Sequence, residues 1–230
     1  MSVETNYATY KKYLKAYIKR DGVDGLIDYL DHSDAVICPA STKYHLSCEG
    51  GYVQHSLNVF ARLITLLKNE YGENIPYSKE TIAIVALLHD ISKVNYYKKT
   101  FRNVKDENGK WVSVEQYSVR DDSERLVFGT HEENSLHILQ NFFKLSYDEQ
   151  VSILYHMGSN TDSPDEYHSA RMLTAYKAVP LALFLHTADM LATCIDEVEK
   201  KEEKKEEEKP NEQSSQPTNT EVEVQVPFSC

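Results

Sequence analysis

The sequence predicts a mainly α chain: one helical bundle with a small β-hairpin insertion and a disordered acidic C-terminal tail. Three observations carry this expectation. Apolar residues recur at helical spacing through most of the first 196 residues. Helix-start signatures, with Ser, Thr or Pro ahead of apolar runs, separate those stretches. Only residues 96–120 are instead rich in aromatic and β-branched side chains around a turn.

Residues 5–20 place Tyr, Leu and Ile at helical spacing with Lys between, and a second short helix is expected from Val23 to Leu30. Pro39, Ser41 and Gly50-Gly51 mark 34–50 as irregular. A long amphipathic helix is expected from about Tyr52 to Tyr71, broken by Gly72 to Tyr77. Ser78 can cap the next helix, expected from about Lys79 to Val94 through the run T-I-A-I-V-A-L-L-H-D-I-S-K-V. In the hairpin, Y-Y-K-K-T-F-R-N-V and W-V-S-V-E-Q-Y-S-V flank a turn containing Asn108-Gly109. Thr130 and Glu133 fit a capping box, and Ser146 and Glu149 fit another. Gly158 can end the second of these helices. The last helix is expected to start near Val179-Pro180, with Pro tolerated in its first turn. Residues 1–50 are therefore read as N-terminal helices packing on a core domain of 51–198. Residues 199–230, part of a Glu/Lys and Pro/Ser/Gln run that starts near Glu197, are read as a tail too polar to offset its ordering entropy.

Bulk properties narrow the function classes. The chain has 230 residues, 41% of them hydrophobic, and a net charge of −11. Such an acidic balance disfavours non-specific binding to nucleic acid, which needs Lys and Arg to neutralise phosphates. No run of about 18 apolar residues exists, so no membrane span is expected. There is no secretory signal at the start, and the four cysteines lack C-x-x-C spacing. Reduced thiols and a cytoplasmic location, in a bacterium or a phage-infected cell, are the expectation.

The most informative residues are His89 and Asp90, an imidazole and a carboxylate side by side on a very apolar run. A buried carboxylate is costly unless paired, and a metal ion would satisfy both groups. His55, His131, His156 and Asp189 join them as candidates, with His186 one helical turn before Asp189. A lone His on an apolar helix is more often a hydrogen-bonded core residue. His131 could sit at the surface, and His156 could merely favour a helix C-terminus. Asp189 is harder to dismiss, because Leu185, Met190 and Leu191 surround it in sequence. Together the His and Asp residues have the composition of a two-metal hydrolytic site.

The order His55, His89-Asp90, Asp189 resembles the HD-domain phosphohydrolase superfamily. The words G-G-Y-V-Q-H-S-L, L-L-H-D-I-S-K-V, G-T-H-E-E-N-S and Y-H-M-G carry that resemblance from about Pro39 to Asp196. They are similar to stand-alone HD hydrolases of Firmicutes and their phages, and to the catalytic half of YhaM-type 3′–5′ exoribonucleases. The resemblance implies an HD-domain bundle with divalent transition metal ions, two in number, chosen from Mn, Fe, Co, Ni or Zn, with Mg also open. His55, His89, Asp90 and Asp189 would hold one ion, and Asp90, His131 and His156 the other. Ser92 stands where the family's H-D-I-G-K has Gly, and Asn134 where G-H-G-E-K-S has Lys.

The implied chemistry is phosphate-ester hydrolysis by a metal-activated water, with Asp90, Lys93 and Glu132 as candidate catalytic residues. Lys93, Arg102 and Arg125 are candidate substrate contacts. Two of these have a plainer alternative: Lys93 as a solvated residue at a helix end, Glu132 as a carboxylate favoured by a helix N-terminus. Trp111, Tyr96, Tyr97, Phe101 and Tyr117 could stack on a base, although packing on the helical core is the more common fate of strand aromatics. A nucleotide or related small phosphoester is the expected substrate and a small phosphorylated molecule the expected partner. The alternatives are a 3′–5′ exoribonuclease or phosphodiesterase on single-stranded nucleic acid, and a metal-containing nucleotide-binding regulatory protein without turnover. Residues 1–50 are too short and too helical for the OB-type domain that precedes the HD domain in YhaM-type enzymes.

Overall fold

The computed structural model describes residues 2–159 and 167–198, and its described residues up to Val198 form one compact unit. The tail expected over 199–230 lies outside the described residues. Eight α-helices are present among those described: α1 (Val3–Tyr17), α2 (Val23–Asp31), α3 (Gly51–Tyr71), α4 (Lys79–Leu88), α5 (His131–Gln140), α6 (Tyr147–Leu154), α7 (His168–Ala178) and α8 (Pro180–Leu191). The only sheet among them is an antiparallel hairpin of β1 (Tyr97–Lys105) and β2 (Trp111–Val119).

Local chemistry starts the helices where the sequence indicated. The Ser78 hydroxyl accepts from the Thr81 N–H at 3.0 Å. Thr130 with Glu133, and Ser146 with Glu149, close reciprocal capping boxes. Pro180 occupies the first turn of α8, where a missing N–H costs nothing.

The core lies where α4 packs against α3 and α1. Every residue from Ile82 to Leu88 is buried, and each large aliphatic side chain there contributes about 1.5–3 kcal/mol relative to exposure. α3 adds Tyr52, Val59, Leu63 and Leu67, α8 adds Leu181 and Leu185, and α1 adds Tyr10 and Leu14. The buried phenols are satisfied: Tyr10 Oη lies 2.9 Å from Tyr52 Oη and 2.9 Å from the Leu87 carbonyl. Closely packed α3, α4 and α8 are the elements that will carry the site.

Several elements differ from expectation. α4 stops at Leu88 instead of running to Val94, and a 3-10 turn, Ile91–Lys93, follows. α7 was not anticipated. Tyr176 is its one buried residue, so it lacks the apolar stripe that marks a helix in sequence. α6 ends at Leu154, and Gly158, at φ +63, closes the following turn through its N–H to the Tyr155 carbonyl.

The hairpin forms as expected, in register from Tyr97↔Val119 to Lys105↔Trp111. Its aromatics do not all pack. Tyr97 lies against the core, but Phe101 is 69% exposed and Trp111 64% exposed. Among the described residues no helix is long and apolar enough on its own to cross a membrane.

Candidate metal centre

His55 lies one turn into α3, and the start of that helix is fixed by close backbone approach. A Cβ on Gly51 would stand 2.1 Å from the Leu46 carbonyl oxygen and 2.8 Å from the Ala40 nitrogen. The second Gly of G-G-Y-V-Q-H is therefore a packing requirement. Gly51→Ala is expected to lower stability by about 1–3 kcal/mol, the usual cost of overpacking, read as a lower urea midpoint.

His89 and Asp90 sit just past the end of α4, not within it. His89 is its C-cap. The ended helix leaves carbonyls free, and the His89 Nδ1–H donates to the Ala86 carbonyl at 3.0 Å. His156, just beyond α6, repeats the device with the Ile153 carbonyl at 2.7 Å. In both rings Nδ1 thereby carries the proton and Nε2 keeps a lone pair. Both Nε2 atoms are buried, and among the described residues neither has a hydrogen-bond partner.

Asp90, 2% exposed, is the hub. Its Oδ1 lies 2.5 Å from His131 Nε2 and 3.3 Å from His156 Nε2. Its Oδ2 lies 3.5 Å from both His55 Nε2 and His89 Nε2, and 2.5 Å from Lys93 Nζ. Asp189, from α8, reaches His55 Nε2 at 3.2 Å. All six sequence candidates thus converge. Donor atoms of His55, His89 and Asp90, of His89, His156 and Asp189, and of Asp90, His131 and His156 each lie within 4.8 Å of one another.

The residues fit divalent ions. Two buried imidazole lone pairs with no partner are expensive unless something accepts them, and they face a carboxylate. Burial pushes His89 down to about 3, so it is neutral and able to ligate. Burial also opposes ionisation of Asp90 and Asp189. The Lys93 ammonium and His89 nevertheless hold Asp90 well below the usual carboxylate range, and His55 does the same for Asp189. For His55 itself burial is outweighed by the carboxylates of Asp189 and Glu197, which lift it to about 9.

The surroundings correct several expectations. Lys93 is no solvated helix end: its side chain is 12% exposed and paired with Asp90. Ser92 is more than a small replacement for Gly, because its Oγ lies 2.6 Å from His131 Nδ1. Asn134 bonds both the N–H and the carbonyl of Gly129, stapling the loop before α5. Glu132 is buried, and among the described residues one of its carboxylate oxygens has no hydrogen-bond partner and it is outside the convergent donor groups. His186 instead holds the His156 carbonyl at 2.7 Å.

Arg102 projects from the exposed hairpin. Arg125 lies over the Tyr96 ring at 5.0 Å and pairs with Asp122. It lines a cavity with Ser92, Tyr96 and His137.

Two neighbours were not read from the sequence. Glu197 lies 3.0 Å from His55 Nδ1. The His45 ring centroid is 5.0 Å from that of His55, and burial first, then His55, push it down to about 4. Glu197 opens the charge run that continues into the expected tail, which hid it, and His45 lies in a loop without periodicity that could have flagged it.

Comparison with known protein families matches residues 52–213 to the HD domain. No curated protein and no solved structure matches the chain. The match covers well over half the sequence and includes the whole His/Asp cluster, so the chain belongs to the HD-domain family and is a metal-dependent phosphohydrolase.

Proposed function

We propose that the protein hydrolyses a small phosphate ester, a nucleotide or close relative, at a two-ion centre held by His55, His89, Asp90, His131, His156 and Asp189. One observation carries this reading. The two oxygens of Asp90 divide the histidines into two sets, His131 and His156 on Oδ1, His55 and His89 on Oδ2. Asp189 joins the second set through His55. A carboxylate can bridge in this way because it has two ligand atoms, whereas a neutral imidazole presents one lone pair. Bound ions would supply a water of lowered pKa and positive charge for phosphate oxygens.

The remaining chemistry belongs to side chains of the chain itself. Main-chain bonds from His89 and His156 keep their ligand nitrogens fixed before any ion arrives, so little reorganisation is needed. Lys93 holds a positive charge beside Asp90 that a phosphate can also use. Glu132, buried and half unpartnered next to His131, would serve as a proton acceptor or as an orienting group. A net charge of −11 favours a small substrate over a long polyanion. Residues 51–198 would carry the centre, with 1–50 packed on them.

A second reading has its own support. The exposed Phe101 and Trp111 offer faces on which bases of a single strand could stack, which a 3′–5′ exonuclease or phosphodiesterase would use.

The test is turnover by protein reconstituted with Mn, Co, Ni, Zn or Mg. Release of phosphate from nucleotides, with short RNA left intact, is the expected result. Shortening of RNA from its 3′ end, lost on Phe101→Ala and Trp111→Ala together, would establish the second reading. Failure to bind ions, with no difference between wild type and His89→Ala, would overturn the centre itself.

A further inference from the structure

We propose that Glu197 is a positioning residue for His55, holding its ring so that Nε2 is the nitrogen presented to an ion. This rests on reading the His/Asp cluster as the metal centre.

Glu197 is buried, its side chain 1% exposed, and a carboxylate in that position must be held by donors. Its Oε1 lies 3.0 Å and its Oε2 3.2 Å from His55 Nδ1. Oε1 also accepts from Asn58 Nδ2 at 2.9 Å. The donors form a directed chain. Asn6 Nδ2 donates to Gln54 Oε1 at 2.6 Å, and Gln54 Nε2 donates to Asn58 Oδ1 at 2.7 Å. That order turns the Asn58 amide nitrogen towards Glu197, so the carboxylate is the terminal acceptor. Nδ1 of His55 is then the donor, and Nε2, which faces Asp90 and Asp189, is the ligand atom. His89 and His156 obtain the same orientation from main-chain carbonyls. His55 sits inside a continuous helix, where such carbonyls are already used, and needs a side chain instead.

The chain is built to deliver that side chain. After α8 the helix widens into a π turn, Ala192–Asp196, closed by the Glu197 N–H on the Ala192 carbonyl. In a continuous α-helix, at about 100° per residue, Glu197 would stand about 80° away from the face of Asp189. A π turn advances by only roughly 80° per residue, which removes most of that offset over its five residues. Asp189 and Glu197 therefore bracket the two nitrogens of one imidazole from the same helix. Arg62 fastens the turn through an ion pair to Asp196 at both of its carboxylate oxygens. The His45 ring covers the pair.

The test compares Co2+ binding by wild-type full-length protein, Glu197→Ala, Glu197→Gln and His89→Ala, followed by calorimetry and by the visible absorption of bound Co2+. Glu197→Ala is expected to weaken binding about 10–100-fold, the usual effect of losing a carboxylate behind a ligand histidine. Glu197→Gln, which can still accept the Nδ1–H, should recover most of the affinity and the wild-type spectrum. Metal-free melting temperatures of the two variants should be alike, so a purely structural role predicts no such difference. Should Glu197→Ala fail to fold, the same comparison is made with Glu197→Gln and Glu197→Asp. Unchanged affinity and spectrum in the tested Glu197 variants, with binding lost in His89→Ala, would overturn the positioning role and leave the metal centre standing. Absence of Co2+ binding by wild type would overturn both. An additional bound equivalent, lost in both Glu197→Ala and His45→Ala, would also overturn it, placing an ion between His45, His55 and Glu197 instead.

Discussion

Asp90→Asn is expected to reduce phosphoester hydrolysis by at least about 10³-fold and to release bound ions. The carboxylate contacts both sets of histidines, one through each oxygen, so an amide in its place would remove the proposed bridge and leave each set incomplete. A bound ion contributes several kcal/mol of charge stabilisation in such reactions, and each ~1.4 kcal/mol is a factor of ten in rate. The metal-free protein should suffer as well. Lys93 would keep a charge that is largely buried and has lost its counter-ion, which costs about 3–5 kcal/mol. Metal analysis, turnover and urea unfolding of the apo-protein check the three parts separately. Retention of wild-type ion content in Asp90→Asn would remove the bridge from the mechanism.

Arg20→Ala is expected to destabilise the fold by about 3–5 kcal/mol without changing the bound-ion content of folded protein. The Arg20 guanidinium meets Glu149 at two points, 2.7 and 2.6 Å, and the Glu149 side chain is fully buried. Thr81 and the Ser146 N–H complete the carboxylate's shell. Arg20 follows α1, Thr81 lies in the first turn of α4 and Glu149 in the first turn of α6, so one ion pair ties three elements at the ends of α4 and α6 opposite those that lead into His89 and His156. Removing Arg20 strands a buried charge.

The same pair sets a pH dependence. Burial pushes the Glu149 carboxyl up, but Arg20, the Ser146 N–H and Thr81 outweigh it and hold the group below its ordinary value. A lowered folded-state pKa stabilises fully above the unfolded value of about 4.3 and is lost as pH falls through the folded value. The stability advantage of wild type over Glu149→Gln should therefore be constant near neutrality and shrink below about pH 4.3. Urea midpoints from pH 3 to 7 measure it. An advantage that persists unchanged to pH 3 would show that the pair is not ionised as described.

What could be read from the sequence was what repeats or what punctuates. Ser78, Thr130, Ser146 and Pro180 marked helix starts because caps are local chemistry. His89, Asp90 and Asp189 were legible as polar anomalies on apolar stretches, whereas His55, His131 and His156 stood at helix ends, and the meeting of all six depended on family likeness. Features made by tertiary structure were not. α7 buries only Tyr176 and so shows no stripe. The break after Leu88 is supported by a side-chain bond from His89 that no propensity scale contains. Glu197 fits no helical face shared with Asp189 until the π turn is known, and a charge run made it look like solvent-facing tail. Hairpin residues Phe101 and Trp111 were expected to pack, because β propensity reports residues that fit a half-buried sheet, but among the described residues both stay exposed.

The spread of the donors along the chain has a consequence for how the protein is made. His55 is synthesised early, yet two of its carboxylate partners, Asp189 and Glu197, arrive more than 130 residues later. Closing so long a loop must wait for the chain, and contacts of that separation form late in folding. A nascent chain that has emerged only through His156 would hold His55, His89, Asp90, His131 and His156 without Asp189 and Glu197. In the proposed centre, the ion held by His55, His89, Asp90 and Asp189 would therefore wait for the last helix, whereas Asp90, His131 and His156 precede it in the chain.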